Sequence, residues 1–249
     1  MITVDRLTKL YGSLTAVQDL SFSVAPGEIL GLVGPNGAGK TTTLRSLAGI
    51  IAPTRGRIQV AGYDLAVSPT EAKAALAFIP DEPQLFEYLT VAEHLRFVVR
   101  LYRQPEAIAQ LRPLLEELEL LPKENTLATE LSRGMKQKLA IACGLIHQPR
   151  VLILDEPLTG LDPVGIRRMK RTIAARAASG AAVVLSSHLL QLVEELCTRV
   201  LIIQQGRKVA LGTIAEIAAD RPEIAGRGLE EIFLSLTGHS PSAQPPPAS

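Results

Sequence analysis

Gly34, Pro35, Asn36, Gly37, Ala38, Gly39, Lys40 and Thr41 fit the pattern G-x-x-x-x-G-K-[ST] without a mismatch. The solid apolar run 29–33 precedes them, and a helix-favouring stretch from 40 to about 48, closed by Gly49, follows. A run apolar at every position suits a strand covered on both faces, as in parallel sheets flanked by helices. Strand, glycine-rich loop and helix in that order commit the chain to an α/β architecture. The glycines let backbone N–H groups converge on phosphate oxygens, and the helix turns its positive end toward them. Lys40 is placed to neutralise the outer phosphates, and the Thr41 hydroxyl is a ligand for Mg²⁺.

The rest of the chain agrees with that class. The stretches 2–4 and 20–24 alternate apolar and polar residues and read as antiparallel strands with one wet face. A turn at Pro26 and Gly27 follows, and 58–60 is another strand. Ser68, Pro69, Thr70 and Glu71 read as a capping box with proline at the first helical position, opening an Ala-rich helix that ends before Phe78. Between 81 and 147 the strand signals stop. Thr90 to Glu93 is a second capping box, for a helix to about Tyr102; further helices are expected over 105–121 and after Ser132. Buried strands return at 151–155, 183–187 and 200–203, separated by helices over 163–179 and 188–196. That alternation gives a parallel sheet with helices on both sides.

The expected organisation is a single domain over 1–236. Its mixed-sheet core is built from 1–80 and 148–225, with an all-helical subdomain inserted at 81–147. A C-terminal helix lies within 226–238, and a Pro/Ser-rich tail at 239–249 is expected to be disordered. At 249 residues the chain can bury roughly 70–75% of its unfolded surface and needs no covalent staple. With 47% apolar and 4% aromatic residues, the core has to be aliphatic. The formal charge of +1 asks for no polyanionic partner, so no nucleic acid is expected. Cys143 and Cys197 are the only cysteines and read as buried small hydrophobes in a reducing compartment. No signal peptide is visible, and no apolar run is long enough to span a bilayer. Arg167, Arg168, Lys170 and Arg171 read as a solvated helix face.

Two acidic residues complete a candidate site. Asp155 and Glu156 close the apolar run 151–154, which carries them to the carboxyl edge of the sheet, where ligands of open α/β sheets bind. Neighbouring side chains on a strand point to opposite sides. Asp155 can therefore support the Mg²⁺ shell while Glu156 faces the terminal phosphate and polarises an attacking water.

With the turn Leu131, Ser132, Arg133, Gly134 and Met135, these motifs resemble the ATP-binding subunits of ABC transporters over roughly 1–236. The family's signature turn commonly reads LSGGQ. Here it reads LSRGM, a variant similar to that of exporter-type subunits, and the closing segment 229–238 resembles that of subunits serving multidrug or ABC-2-type exporters. The resemblance implies a P-loop, RecA-like fold, ATP and Mg²⁺ as cofactors, and ATP hydrolysis. Tyr11 then stacks on adenine, and Val17 is a small apolar contact near the nucleotide. Residues 34–42, ending at Thr42, cradle the phosphates. Glu156, His188 and Lys40 carry the chemistry, and His188 is the switch histidine that contacts the γ-phosphate. Thr41, Asp155 and Asp81 hold the metal. Asp81 stands where the family has a glutamine, with Gln84 a rival for that place. Ser132, Gly134 and Asp162 contact the nucleotide of a second subunit, identical or not.

The resemblance implies that the chain powers a separate integral membrane permease, with export the expected direction, from the cytoplasmic face of the membrane. The alternative is a soluble ATPase of the same fold acting on ribosomes or DNA. Those relatives usually carry paired ATPase units, a long coiled coil or zinc-site cysteines, none of which this sequence shows.

Overall fold

The structure is a computed structural model that describes residues 1–219 and 228–238. The expected tail at 239–249 and the first two residues of the expected 226–238 helix lie outside the described residues.

The chain opens with two long strands, β1 (Ile2–Tyr11) and β2 (Leu14–Val24), then β3 (Ile29–Val33) and helix α1 (Lys40–Leu47). β4 (Arg55–Val60), β5 (Tyr63–Asp64), α2 (Pro69–Ala74) and β6 (Leu76–Ile79) follow. The helical insertion contains α3 (Val91–Leu101), α4 (Leu111–Glu117) and α5 (Arg133–Leu145). The core resumes with β7 (Val151–Asp155), α6 (Pro163–Ala178), β8 (Ala182–Ser186), α7 (Leu190–Leu196), β9 (Arg199–Gln204) and β10 (Arg207–Gly212). Helices α8 (Ile214–Ala219) and α9 (Leu229–Thr237) complete the described chain.

Two sheets form the core. One is antiparallel, in the order β2-β1-β4-β5. The other runs β10-β9-β3-β8-β7-β6, parallel except where β10 returns along β9. All five residues of β3, β7 and β8 are buried. Their side chains alternate between two apolar layers. Leu152, Leu154, Val183 and Leu185 face the helical layer that includes Leu139, Met169 and Ile173. Leu30, Leu32, Ile153 and Val184 face the antiparallel sheet and Leu44 of α1. Each such aliphatic side chain contributes roughly 1.5–3 kcal/mol by leaving water. The sheet edge that these strands share is thereby held rigid.

Several local expectations change. The Ala-rich segment was expected to stay helical up to Phe78, but α2 stops at Ala74 and Leu76–Ile79 becomes the edge strand β6, paired with β7. Ser68 does precede the helix with Pro69 at its first position, yet its hydroxyl makes no cap. Its backbone sits at φ −128°, ψ 59°, away from the extended geometry of a working cap, and its N–H is held by the Asp64 carbonyl. Thr90 by contrast forms the full reciprocal box with Glu93. The helix expected over 105–121 is broken into a 3₁₀ segment Pro105–Gln110 and α4. Pro113 has no N–H to give the carbonyl four residues back, so the α-helix has to begin within a turn of it. In the basic run, Arg168 and Lys170 are ion-paired with Glu119 and Glu195, so only Arg167 and Arg171 remain as a solvated face. β10 and α8 were not anticipated. Both cysteines are free and half-buried, and desolvation pushes the pKa of the Cys143 and Cys197 thiols up to about 12.

Candidate functional site

Four adjacent strands deliver the site. In the spatial order β3-β8-β7-β6, their carboxyl ends lead into the glycine-rich loop, His188, the Asp155–Glu156 pair and Asp81. These groups line one cleft of about 900 Å³, walled on the other side by Tyr11, Leu14, Thr15 and Ala16 of the antiparallel sheet.

The loop from Asn36 to Thr42 forms the floor. Gly39 sits at φ 101°, and a Cβ there would lie 2.5 Å from the Ala16 carbonyl, so only glycine fits the turn into α1. Gly34 and Pro35 lie at the base of the loop rather than in the cleft wall. Their carbonyls accept hydrogen bonds from the Lys40 ammonium at 2.7 and 3.2 Å. Burial lowers the Lys40 pKa, opposed by the charges of Glu156 and Asp155. The loop is braced from outside by the β9–β10 turn. The Gly206 N–H donates to the Ala38 carbonyl at 3.0 Å, and the Gly206 carbonyl accepts from the Gln18 N–H at 2.8 Å.

Asp155 is the last residue of β7 and 5% exposed. Its Oδ1 accepts a 2.7 Å hydrogen bond from Ser186, the residue opposite it on β8. The same Ser186 hydroxyl accepts the Glu156 N–H at 3.0 Å. One fully buried hydroxyl therefore fixes both acidic residues. Glu156 adopts φ 48°, a strained conformation for a side-chain-bearing residue. This aims its carboxylate along the sheet edge, where Oε2 accepts from Nδ1 of His188 at 2.8 Å and from the His188 N–H at 3.2 Å.

Asp81 lines the cleft, and its Oδ1 is buried with no hydrogen-bond partner among the described residues. Gln84 instead faces a neighbouring groove. The Thr41 hydroxyl, Asp155 and Asp81 share the cleft as hard oxygen donors, the donor type Mg²⁺ prefers. Among the described residues no three His, Cys, Asp or Glu side chains cluster closely enough to hold a metal alone. Mg²⁺ suits such a sparse set, since it takes one or two protein carboxylates and completes its shell from phosphates and water.

Val17 lies under the cleft floor, its Cγ2 3.3 Å from where a Cβ on Gly39 would stand. Its side chain is fully buried in the apolar layer under the cleft, and Ala16 is the residue of that strand that lines the wall. Tyr11 is 46% exposed at the rim, with the Lys9 ammonium 5.1 Å from its ring centre. Ser132, Gly134 and Asp162 do not line the cleft. Ser132 caps α5 by accepting the Met135 N–H at 3.3 Å, and Asp162 caps α6 by accepting the Gly165 N–H at 2.8 Å. These two turns abut: a Cβ on Gly134 would stand 2.9 Å from the Gly160 carbonyl. Both caps are exposed. Sequence reading missed Ser186, Thr159 and Gln205; the one available signal was a serine ending a buried apolar strand at the carboxyl edge.

The family model described as ABC transporter matches residues 17–159. The chain is 41% identical over 232 residues to the Nod factor export ATP-binding protein I of Paraburkholderia xenovorans (strain LB400), covering 90% of this chain and 76% of the relative. It is 33% identical over 239 residues to the ABC-type transporter ATP-binding protein EcsA of Bacillus subtilis (strain 168), covering 95% and 96%. A solved structure titled as the ATP binding subunit of an ABC transporter superposes with a TM-score of 0.90 at 36% identity, covering 95% of this chain and 99% of that one.

Proposed function

Since the chain belongs to the ABC transporter family as an ATP-binding subunit with ATPase activity, we propose that it powers export through a separate membrane permease by hydrolysing ATP at the cleft described above. The carrying observation is the convergence of Lys40, Asp155, Glu156 and His188 on one sheet edge, with Glu156 held by His188 at 2.8 Å.

The phosphates seat on the loop N–H groups, the positive end of α1 and the Lys40 ammonium, which leaves its present carbonyl partners to meet them. Thr41, Asp155 and Asp81 would hold Mg²⁺, which when bound neutralises charge on the outer phosphate oxygens. Glu156 accepts the proton of the attacking water. The Nδ1 of His188 is engaged by Glu156, so a phosphate contact from that ring has to come from Nε2. Tyr11 at the rim offers a face for the base.

Ser132, Gly134 and Asp162 lie outside the chain's own cleft, on exposed caps that abut one another. They serve the nucleotide of a second ATPase subunit, identical or related, with the N-terminus of α5 turned to its γ-phosphate. The permease docks in the groove next to the cleft. That groove holds Phe78, Phe86, Phe97 and Leu101, of which the last three are largely exposed. The segment from Asp81 to Phe86 borders both concavities, so movement at the cleft reaches the groove directly. Among the described residues no helix is long and apolar enough to cross a membrane, which leaves the translocation path to the partner.

The test is Glu156→Gln. It should retain ATP binding, lose hydrolysis by at least about a hundredfold, a typical weight for a general base, and accumulate as an ATP-bound dimer in sedimentation. Hydrolysis at the unsubstituted rate removes Glu156 from the base role.

A further inference from the structure

Beyond the cleft, a polar network among the described residues lies where α4 ends. Glu117 accepts hydrogen bonds from three residues of α6. Its Oε1 takes the Thr172 hydroxyl at 2.7 Å, its Oε2 takes Arg176 at 2.9 Å, and its carbonyl takes Arg168 at 3.3 Å. Two residues on, Glu119 turns at φ 59° and divides its carboxylate between two helices. Oε1 pairs with Arg168 of α6 at 2.8 Å, and Oε2 pairs with Lys138 of α5 at 2.9 Å. Arg168, Thr172 and Arg176 are spaced by four, one stripe on α6. Thr172 is buried, and the Lys138 side chain is only 14% exposed.

The position of this knot gives it meaning. α5 is the helix capped by Ser132, and α6 is the helix capped by Asp162. The carbon stem of Lys138 also runs beside the α6 cap, 3.8 Å from where a Cβ on Gly165 would stand. The Lys138 hydrogen bond and charge hold the Glu119 carboxyl below the usual carboxylate range, with the Asp162 charge opposing. Glu119 is therefore ionised at neutral pH and close to the turn it braces. Isolated exposed ion pairs contribute little to stability, but a shared network fixes geometry. Removing it should disturb spacing more than folding.

We propose that Glu117 and Glu119 are positioning residues that clamp the Ser132 helix and the Asp162 helix at one spacing, so that both caps meet the second subunit's nucleotide together. This rests on the reading of those caps as contacts to a second subunit. Neither glutamate lines the chain's own cleft, so the clamp acts on assembly and not on nucleotide capture.

The experiment uses the full chain and fluorescent ATP. Glu119→Lys, and separately the milder Glu119→Gln, should bind ATP as monomers within about twofold of the parent and melt within a few degrees of it. In the Glu156→Gln background they should need about tenfold more protein for half-maximal ATP-driven dimerisation, and in the otherwise unsubstituted chain their kcat should fall by a similar factor. Reversing the charges, with Glu119→Lys, Lys138→Glu and Arg168→Glu together, should restore dimerisation; a merely structural loss would not be rescued in this way. Parent-like dimerisation and kcat in both single variants overturn the proposal, as does ATP binding lost in parallel with dimerisation. If Glu156→Gln alone stays monomeric with ATP, the two-subunit reading itself fails and the clamp loses its purpose with it.

Discussion

Ser186→Ala is the substitution that best tests how the acidic pair is held. The residue is fully buried, and its hydroxyl makes two hydrogen bonds: it donates to the Asp155 carboxylate at 2.7 Å and accepts the Glu156 N–H at 3.0 Å. A bond to a charged group is worth about 1.5–3 kcal/mol and a neutral one about 0.5–1.5 kcal/mol, and both partners stay buried and unsatisfied when the oxygen goes. The void left by one oxygen is small, so the two bonds dominate, and the loss should be about 3 kcal/mol. That is a large share of the roughly 5–15 kcal/mol that holds a typical domain together. Activity should fall further than stability implies. The two residues that carry metal and base chemistry lose their shared anchor, and supports of this kind typically weigh about 10–100-fold. ATP affinity, set mainly by the loop and Lys40, should change little. The assays are urea unfolding and steady-state ATPase, with Ser187→Ala as control. Among the described residues that neighbour accepts only the Leu189 N–H, and its loss should cost about 1 kcal/mol. A Ser186→Ala protein within 1 kcal/mol and twofold in kcat of the parent refutes the reasoning.

Two other outcomes follow from single residues. Thr90→Ala removes a working cap and should destabilise by about 1 kcal/mol, whereas Ser68→Ala removes a hydroxyl that caps nothing and should fall within about 0.5 kcal/mol of zero, both read by urea midpoints. With Cys143 and Cys197 at about 12 in the native state, a thiol reagent at pH 8 should label neither until the chain unfolds, and then both. Because these folded values are raised, the thiols' contribution is intact below the unfolded value near 9 and is lost as pH climbs toward 12. Stability should then fall by about 1.4 kcal/mol per pH unit for each thiol.

Much of the site was legible because its pieces are local. β3 and β7 have the bounds that their solid apolar runs imply, since a strand covered on both faces leaves no polar position to blur its ends. Thr90 caps as expected, and Ser132 caps the helix expected to follow it, because capping is decided within four residues. What escaped depends on partners distant in the chain. β6 is four residues long and follows an Ala-rich helix; alone it has no strand signature, and it exists because β7 offers it a ladder. Val17 and Ala16 cannot be told apart by composition, and which of them meets the cleft is set by how β2 lies against the phosphate loop, with the Ala16 carbonyl beside Gly39.

The same logic explains why the catalytic order itself is not written along the chain. β3, β6, β7 and β8 come in that sequence, but the sheet arranges them β3-β8-β7-β6. Only this interleaving sets His188 between the phosphate loop and Glu156, and Asp81 on the far side of the acidic pair. The register that pairs Asp155 with Ser186 then converts an unremarked strand-end serine into the anchor of both carboxylates. A one-residue slip of β8 against β7 would turn Ser186 to the opposite face of the sheet and leave the Glu156 N–H and Asp155 Oδ1 without it. The apolar alternation that buries Val183 and Leu185 in one layer and Val184 in the other forbids that slip. The packing of the sheet and the alignment of the hydrolytic groups are therefore one constraint.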